Sequence, residues 1–169
     1  RAGGGLASAV ARRVACGRYH TAVVSAEGAV YAFGSDLSGS DLSGQLGRGR
    51  TPDSRPSWEP ELVHFEAAEA ERPLVVLQAA CGDEHTLCLT DGGRVLAFGS
   101  GCKGQLCTGG VKCHRLPVLV RTLSAISEVA AGAGWSLLRG RSGCVHLAGR
   151  AEDGEDDDCR LLRQLVAPR

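Results

Sequence analysis

Residues 14–34 read VACGRYHTAVVSAEGAVYAFG, residues 79–99 read AACGDEHTLCLTDGGRVLAFG, and residues 129–149 read VAAGAGWSLLRGRSGCVHLAG. Aligned without a gap, the three stretches keep their landmarks in step. Gly17, Gly82 and Gly132 are followed three residues later by His20, His85 and Trp135. Then come Gly28, Gly93 and Gly143, and after them Gly34, Gly99 and Gly149, at the same offsets each time. Offsets held through all copies mark internal repeats, and a repeat frame takes precedence over local propensities.

Each unit has a physical layout. An apolar segment ends at the leading glycine. A short strand follows, residues 21–25 or 86–90, then a turn carrying Gly28 or Gly93, with Asp91-Gly92-Gly93 a strong turn signal. A second strand, 30–33 or 95–98, ends at Gly34 or Gly99, where a positive φ or a close backbone approach is expected. One hairpin cannot bury its own face, but stacked hairpins can. A further motif, GQLGRG at 44–49, has the counterpart GQLCTG at 104–109. There Gln45 and Gln105 are expected to hydrogen-bond within a loop, and Leu46 and Leu106 to plug the core. The first unit is longer because Ser35-Asp-Leu-Ser-Gly39 is repeated at once as Ser40-Asp-Leu-Ser-Gly44. Such an insertion lengthens a loop at little entropic cost.

The pattern Gly-x-x-His-Thr, Gly-x-Val-x-x-Phe-Gly and Gly-Gln-Leu-Gly resembles the repeat of the regulator of chromosome condensation family. The leading glycines lie 65 and then 50 residues apart, which suits that repeat. The third unit departs from it: Trp135 replaces the histidine, Ser136 the threonine and Ala148 the phenylalanine, and no Gly-Gln-Leu follows. The resemblance implies an all-β fold, a partial β-propeller of about three repeats that forms part of a seven-bladed ring. Three blades leave sheet edges open. The remaining blades are therefore expected from another chain or chain segment. The expected organisation is a flexible leader over 1–13 and repeats at about 14–50, 77–110 and 127–150. A loop-rich connection spans 50–73, with turn-rich 51–60 and two helical turns over 64–71. An acidic loop covers 151–159. Residues 160–169 form a terminal strand, starting a fourth unit, or a short helix.

Composition narrows the function. Lys+Arg and Asp+Glu each number 19, so the net charge is zero, whereas a duplex-binding stripe shows basic excess. Nucleic acid is therefore not an expected partner. With 24 glycines and 4% aromatics the chain is turn-rich and no helix bundle. No apolar run is long enough for a spanning helix. The eight cysteines sit in repeat slots and strand patterns, which points to thiols in an intracellular, reducing compartment. Cys102, Cys107, Cys113 and His114 are the one candidate metal cluster, but their spacing lacks the paired hooks of a structural zinc site.

His20 and His85 each precede a hydroxyl residue, yet they recur in separate units and cannot form one constellation. A buried structural hydrogen bond to backbone is the expectation. No nucleophile elbow, phosphate loop or metalloprotease helix occurs. Neither a catalytic residue nor a cofactor is expected. The acidic run Glu152, Asp153, Glu155, Asp156, Asp157 and Asp158 is a solvated loop or a docking strip for a basic partner. The expected function is a noncatalytic protein-interaction or scaffold module within a larger protein or assembly. The resemblance implies one alternative, guanine-nucleotide exchange or regulation of a small GTPase.

Overall fold

The structure, a computed structural model, describes residues 9–38, 41–49, 57–65, 73–121, 123–149 and 163–166. Within them lie three antiparallel four-stranded sheets and one two-stranded ladder. The first sheet runs in the order β1 (Ala11–Cys16), β2 (His20–Ser25), β3 (Val30–Gly34), β6 (Ser57–Leu62). Between β3 and β6, β4 (Leu37–Ser38) and β5 (Asp41–Leu42) pair with each other. The second sheet joins β7 (Val76–Cys81), β8 (His85–Thr90), β9 (Val95–Gly99) and β10 (His114–Leu119). The third joins β11 (Ile126–Ala131), β12 (Trp135–Gly140), β13 (Val145–Gly149) and β14 (Arg163–Val166). Each sheet is one blade, and the repeats stack as partial-propeller neighbours.

The repeat extends to backbone irregularities. In each blade the first strand carries a register shift against the second, at Ala11/Arg13, Val76/Gln78 and Ile126/Glu128. A bulge recurring in one slot adds the same local twist to every blade. The hairpin turns hold the stack together. Gly28 has φ +83° and its carbonyl accepts the Val76 N–H at 3.0 Å. Gly93 has φ +72° and its carbonyl accepts the Ile126 N–H, also at 3.0 Å. The glycine therefore serves both the left-handed turn and the contact with the next blade.

Two cores lie between the blades. Ala22, Val24, Val30 and Ala32 of blade one meet Cys88, Leu96 and Phe98 of blade two. Leu87, Leu89, Val95 and Ala97, the alternate residues of β8 and β9, meet Val129, Leu138 and Ala148 of blade three. Blade two is thus covered on both faces, which is why all of β8 and β9 is buried and apolar runs replace alternation. In β3 burial alternates, as in a strand with one covered face.

Five expectations from sequence need correction. Strand β1 starts at Ala11, so residues 11–13 belong to the first blade and not to a leader. The segment read as turn-rich loop contains β6, which completes blade one against β3. His64 and Phe65 are not helical, and the rest of that expected helix lies outside the described residues. Strand β14 pairs with β13; it closes the third blade and does not start a fourth. The duplicated Ser-Asp-Leu-Ser-Gly does more than lengthen a loop, because its two copies pair through Leu37 with Leu42 and Ser38 with Asp41.

Candidate interaction site

The leading Gly-x-x-His turn places an imidazole at each seam. Gly17 N–H donates to the His20 carbonyl at 2.8 Å, and Gly82 N–H to that of His85 at 2.9 Å. A side chain at Gly17 or Gly82 would collide with the imidazole itself and with the next blade's glycine carbonyl. The imidazoles then cross the seams. His20 Nε2 lies 2.9 Å from Thr86 Oγ1, and that hydroxyl donates to the Gln45 carbonyl at 2.9 Å. His85 Nε2 lies 2.8 Å from Ser136 Oγ, which donates to the Gln105 carbonyl at 2.7 Å. Since each hydroxyl spends its proton on a carbonyl, its oxygen accepts from an Nε2–H, which fixes the histidine tautomer. Burial holds both rings neutral, pushing His20 from 6.5 to about 4 and His85 to about 3.

The histidines therefore bond to a neighbouring hydroxyl, and His20 also meets the His85 main chain. The glutamines act through their main-chain carbonyls. Gln105 Oε1 also accepts from Lys103 N at 2.8 Å. The Gln45 amide is buried and has no hydrogen-bond partner among the described residues. Ser43, which holds the place of Lys103, gives its N–H to the Asp36 carbonyl at 3.0 Å. The duplication thus diverts the amide that would have met Gln45. Asp36 Oδ1 instead accepts the Leu46 N–H at 2.7 Å and fixes the turn from the other side. Leu46 and Leu106 are fully buried.

One substitution in the third repeat has a visible counterpart. A side chain at Gly47 would strike the Phe98 ring. Cys107 holds the same place in the next repeat, at φ +59°, and Ala148 the place of Phe98. Cys107 and Ala148 share one core cluster, so the thiol fills room left by the missing ring.

Among the described residues, blade one presents the same seam surface uncovered. Thr21 stands where Thr86 and Ser136 stand, but its hydroxyl meets Cys16 Sγ at 3.9 Å in place of an imidazole and a carbonyl. Beside it a cleft of about 320 Å³ is lined by Tyr19, Thr21, Phe33, Gly34 and Trp58. The equivalent places in the covered blades are filled: Gln45 lies against Gly99, and Gln105 against Gly149. Tyr19 and Trp58 are exposed at the cleft, Trp58 to 79%, and Val10 and Val14 are exposed elsewhere on blade one. Arg18 stacks over Tyr19 with its guanidinium 5.2 Å from the ring centroid, and reaches Asp83 at 3.9 Å. At the other end, Trp135 occupies the histidine slot half-buried, and Gly143 faces open space.

Among the described residues no group of three or more His, Cys, Asp or Glu could hold a metal ion. Cys107 is buried, apart from exposed Cys102 and Cys113. No helix there is long and apolar enough to cross a membrane. The acidic run from Glu152 to Asp158 lies outside the described residues. The sequence missed the vacant cleft because Tyr19, Phe33 and Trp58 belong to no shared motif and meet only in the folded blade.

Two family models described as the regulator of chromosome condensation (RCC1) repeat match, one at residues 11–40 and 76–105, the other at 27–89 and 92–138. The E3 ubiquitin-protein ligase HERC2 of Mus musculus is 34% identical over 161 residues, covering 90% of this chain and 3% of that protein. Human WBSCR16 superposes with a TM-score of 0.74 at 18% identity, over 93% of this chain and 38% of that one. Prp20p of Saccharomyces cerevisiae, described with its binding properties to Gsp1p and histones, gives 0.75 at 17%, over 93% and 38%. The chain thus spans well under half the length of each.

Proposed function

Because the chain belongs to the regulator of chromosome condensation (RCC1) repeat family, we propose that it acts as a noncatalytic protein-interaction module, a scaffold segment within a larger protein or assembly. The observation that carries this reading is the uncovered seam of blade one, with Thr21 and the cleft beside Gly34 ready for the groups that fill the covered seams. Its occupant is a further repeat of the same kind. Such a unit brings an imidazole Nε2–H and a glutamine carbonyl to Thr21, and its Gly-Gln-Leu loop to the cleft. A second copy of this chain suits the place less well, since its blade three offers Trp135 where the described seams use an imidazole. The buried histidines are neutral and occupied in the seams, which favours a structural over a catalytic role.

A photo-crosslinking amino acid at Tyr19, in the protein expressed in its own cells, tests this. The linked peptide identified by mass spectrometry is expected to carry the Gly-Gln-Leu loop of another repeat. A link to blade three of a second copy, or to a sequence without such a loop, overturns it. The likeness to Prp20p, described with its binding to Gsp1p, favours a second reading, regulation of a small GTPase. Nucleotide release from a panel of small GTPases decides it: acceleration at micromolar protein supports regulation, and none leaves the scaffold reading.

A further inference from the structure

Cys102 and Cys113 flank the loop that carries the second Gly-Gln-Leu motif. The β9–β10 ladder brings them together: His114 pairs with Gly99, and just beyond that pair the backbones of Gly101 and Lys112 run in close contact. The two sulfurs lie 3.5 Å apart, and both residues are exposed. The loop they bracket holds two groups of the second seam. The Gln105 carbonyl accepts from Ser136, and Leu106 is fully buried in the core shared by blades two and three. No third ligand completes a metal group there among the described residues. Every other cysteine placed in a blade core, Cys81, Cys88 and Cys107, is buried and has its thiol pushed up by desolvation, to about 12 for Cys81 and Cys107. Those thiols are inert by comparison.

We propose that Cys102 and Cys113 form a redox-sensitive dithiol whose oxidation staples the β9–β10 loop of blade two, which packs against blade three. The co-reactant is a low-molecular-weight disulfide such as oxidised glutathione. The side-chain hydrogen bond to Cys113 holds the Cys102 thiol above its usual pKa, and exchange is taken to begin at Cys113. Its sulfur displaces one glutathione thiolate and forms a mixed disulfide. The Cys102 thiolate then attacks the Cys113 sulfur and displaces the second glutathione. Two protein thiols are oxidised to one disulfide, one glutathione disulfide is reduced to two thiols, and the two protons pass to those thiols. Closing the loop removes freedom from the unfolded chain and fixes the mouth of the segment that presents Gln105.

The test uses the whole chain in glutathione buffers of increasing oxidised fraction, quenched in acid, alkylated and cut with trypsin. The expected product is peptide 95–103 joined to peptide 113–115, with no other cysteine linked at the same poise. Oxidation is expected to raise Tm by roughly 5–10 °C. Reduction should reverse the shift, and the C102S and C113S variants, substituted at exposed positions, should not show it. Alkylation of both residues under oxidising buffer, a link from either to Cys16, Cys144 or Cys159, or an unchanged Tm after linkage overturns the proposal. So does protection of the pair by zinc alone, without oxidant.

Discussion

His20 and His85 are bases whose folded pKa values, about 4 and about 3, lie below the ordinary 6.5. Between those values and 6.5 the unfolded chain binds more protons than the folded one. Stability is therefore full above about pH 6.5 and falls as pH drops through the folded values. Urea unfolding from pH 7.5 to 4.5 should show a loss on the order of 5 kcal/mol. A H20Q/H85Q variant should show a flatter profile, and an unchanged slope would mean that other groups carry it. Cys107 and Ala148 allow a second test at this scale. A148F alone should overpack the second core and cost about 1–3 kcal/mol. Combined with C107G it should cost less than the two single changes together, as residues sharing one space do. Simple additivity in thermal or urea unfolding would show that the thiol does not fill the absent ring's place.

The hairpins β2–β3, β8–β9 and β12–β13 were legible because each is punctuated by glycines that geometry requires. A side chain at Gly34, Gly99 or Gly149 would strike the carbonyl of the residue before His20, His85 or Trp135. The outer strands were not legible. Strand β6 contains Pro60 and β10 contains Pro117, each within the stretch where its ladder is interrupted. Edge strands tolerate proline because one side of the ladder needs no donor, so their sequences look like loops. The seam relay was half legible: the repeated histidine stood out, but the hydroxyl that receives it comes from the following blade, and the acceptor beyond is a main-chain atom. The thiol pair was half legible too: Cys102 and Cys113 stood out within a candidate metal cluster, but only the return of β10 along β9 pairs those two and leaves Cys107 in the core. The duplicated Ser-Asp-Leu-Ser-Gly belongs to this scale too. Deleting residues 40–44 and leaving one copy should keep the fold, with Tm within a few degrees. It should also return a main-chain N–H to the Gln45 amide, as Lys103 gives one to Gln105. Loss of soluble protein would show that the β4–β5 ladder is needed.

Across the whole arc the blades are unequal in their surroundings. Blade two is buried on both faces, whereas β1 is mostly exposed. Amide exchange in the isolated chain should therefore be faster in 11–16 than in 76–81, and equal protection would mean that the first seam is covered by something else. Glycine at the hairpin turn gives a sharper contrast. Gly93→Ala meets the backbone of Ala125 and Ile126, whereas Gly143→Ala meets only the cost of its left-handed φ, roughly 1–2 kcal/mol. The first should destabilise more than the second in thermal unfolding. Once another blade packs against Gly143, the difference should shrink. The seam bonds also have a sense. Each blade offers a donor ring forward and a hydroxyl backward, and Trp135 breaks that alternation at the forward end of blade three. A circular assembly containing this arc consequently has a joint of different chemistry, a built-in origin from which its blades can be counted.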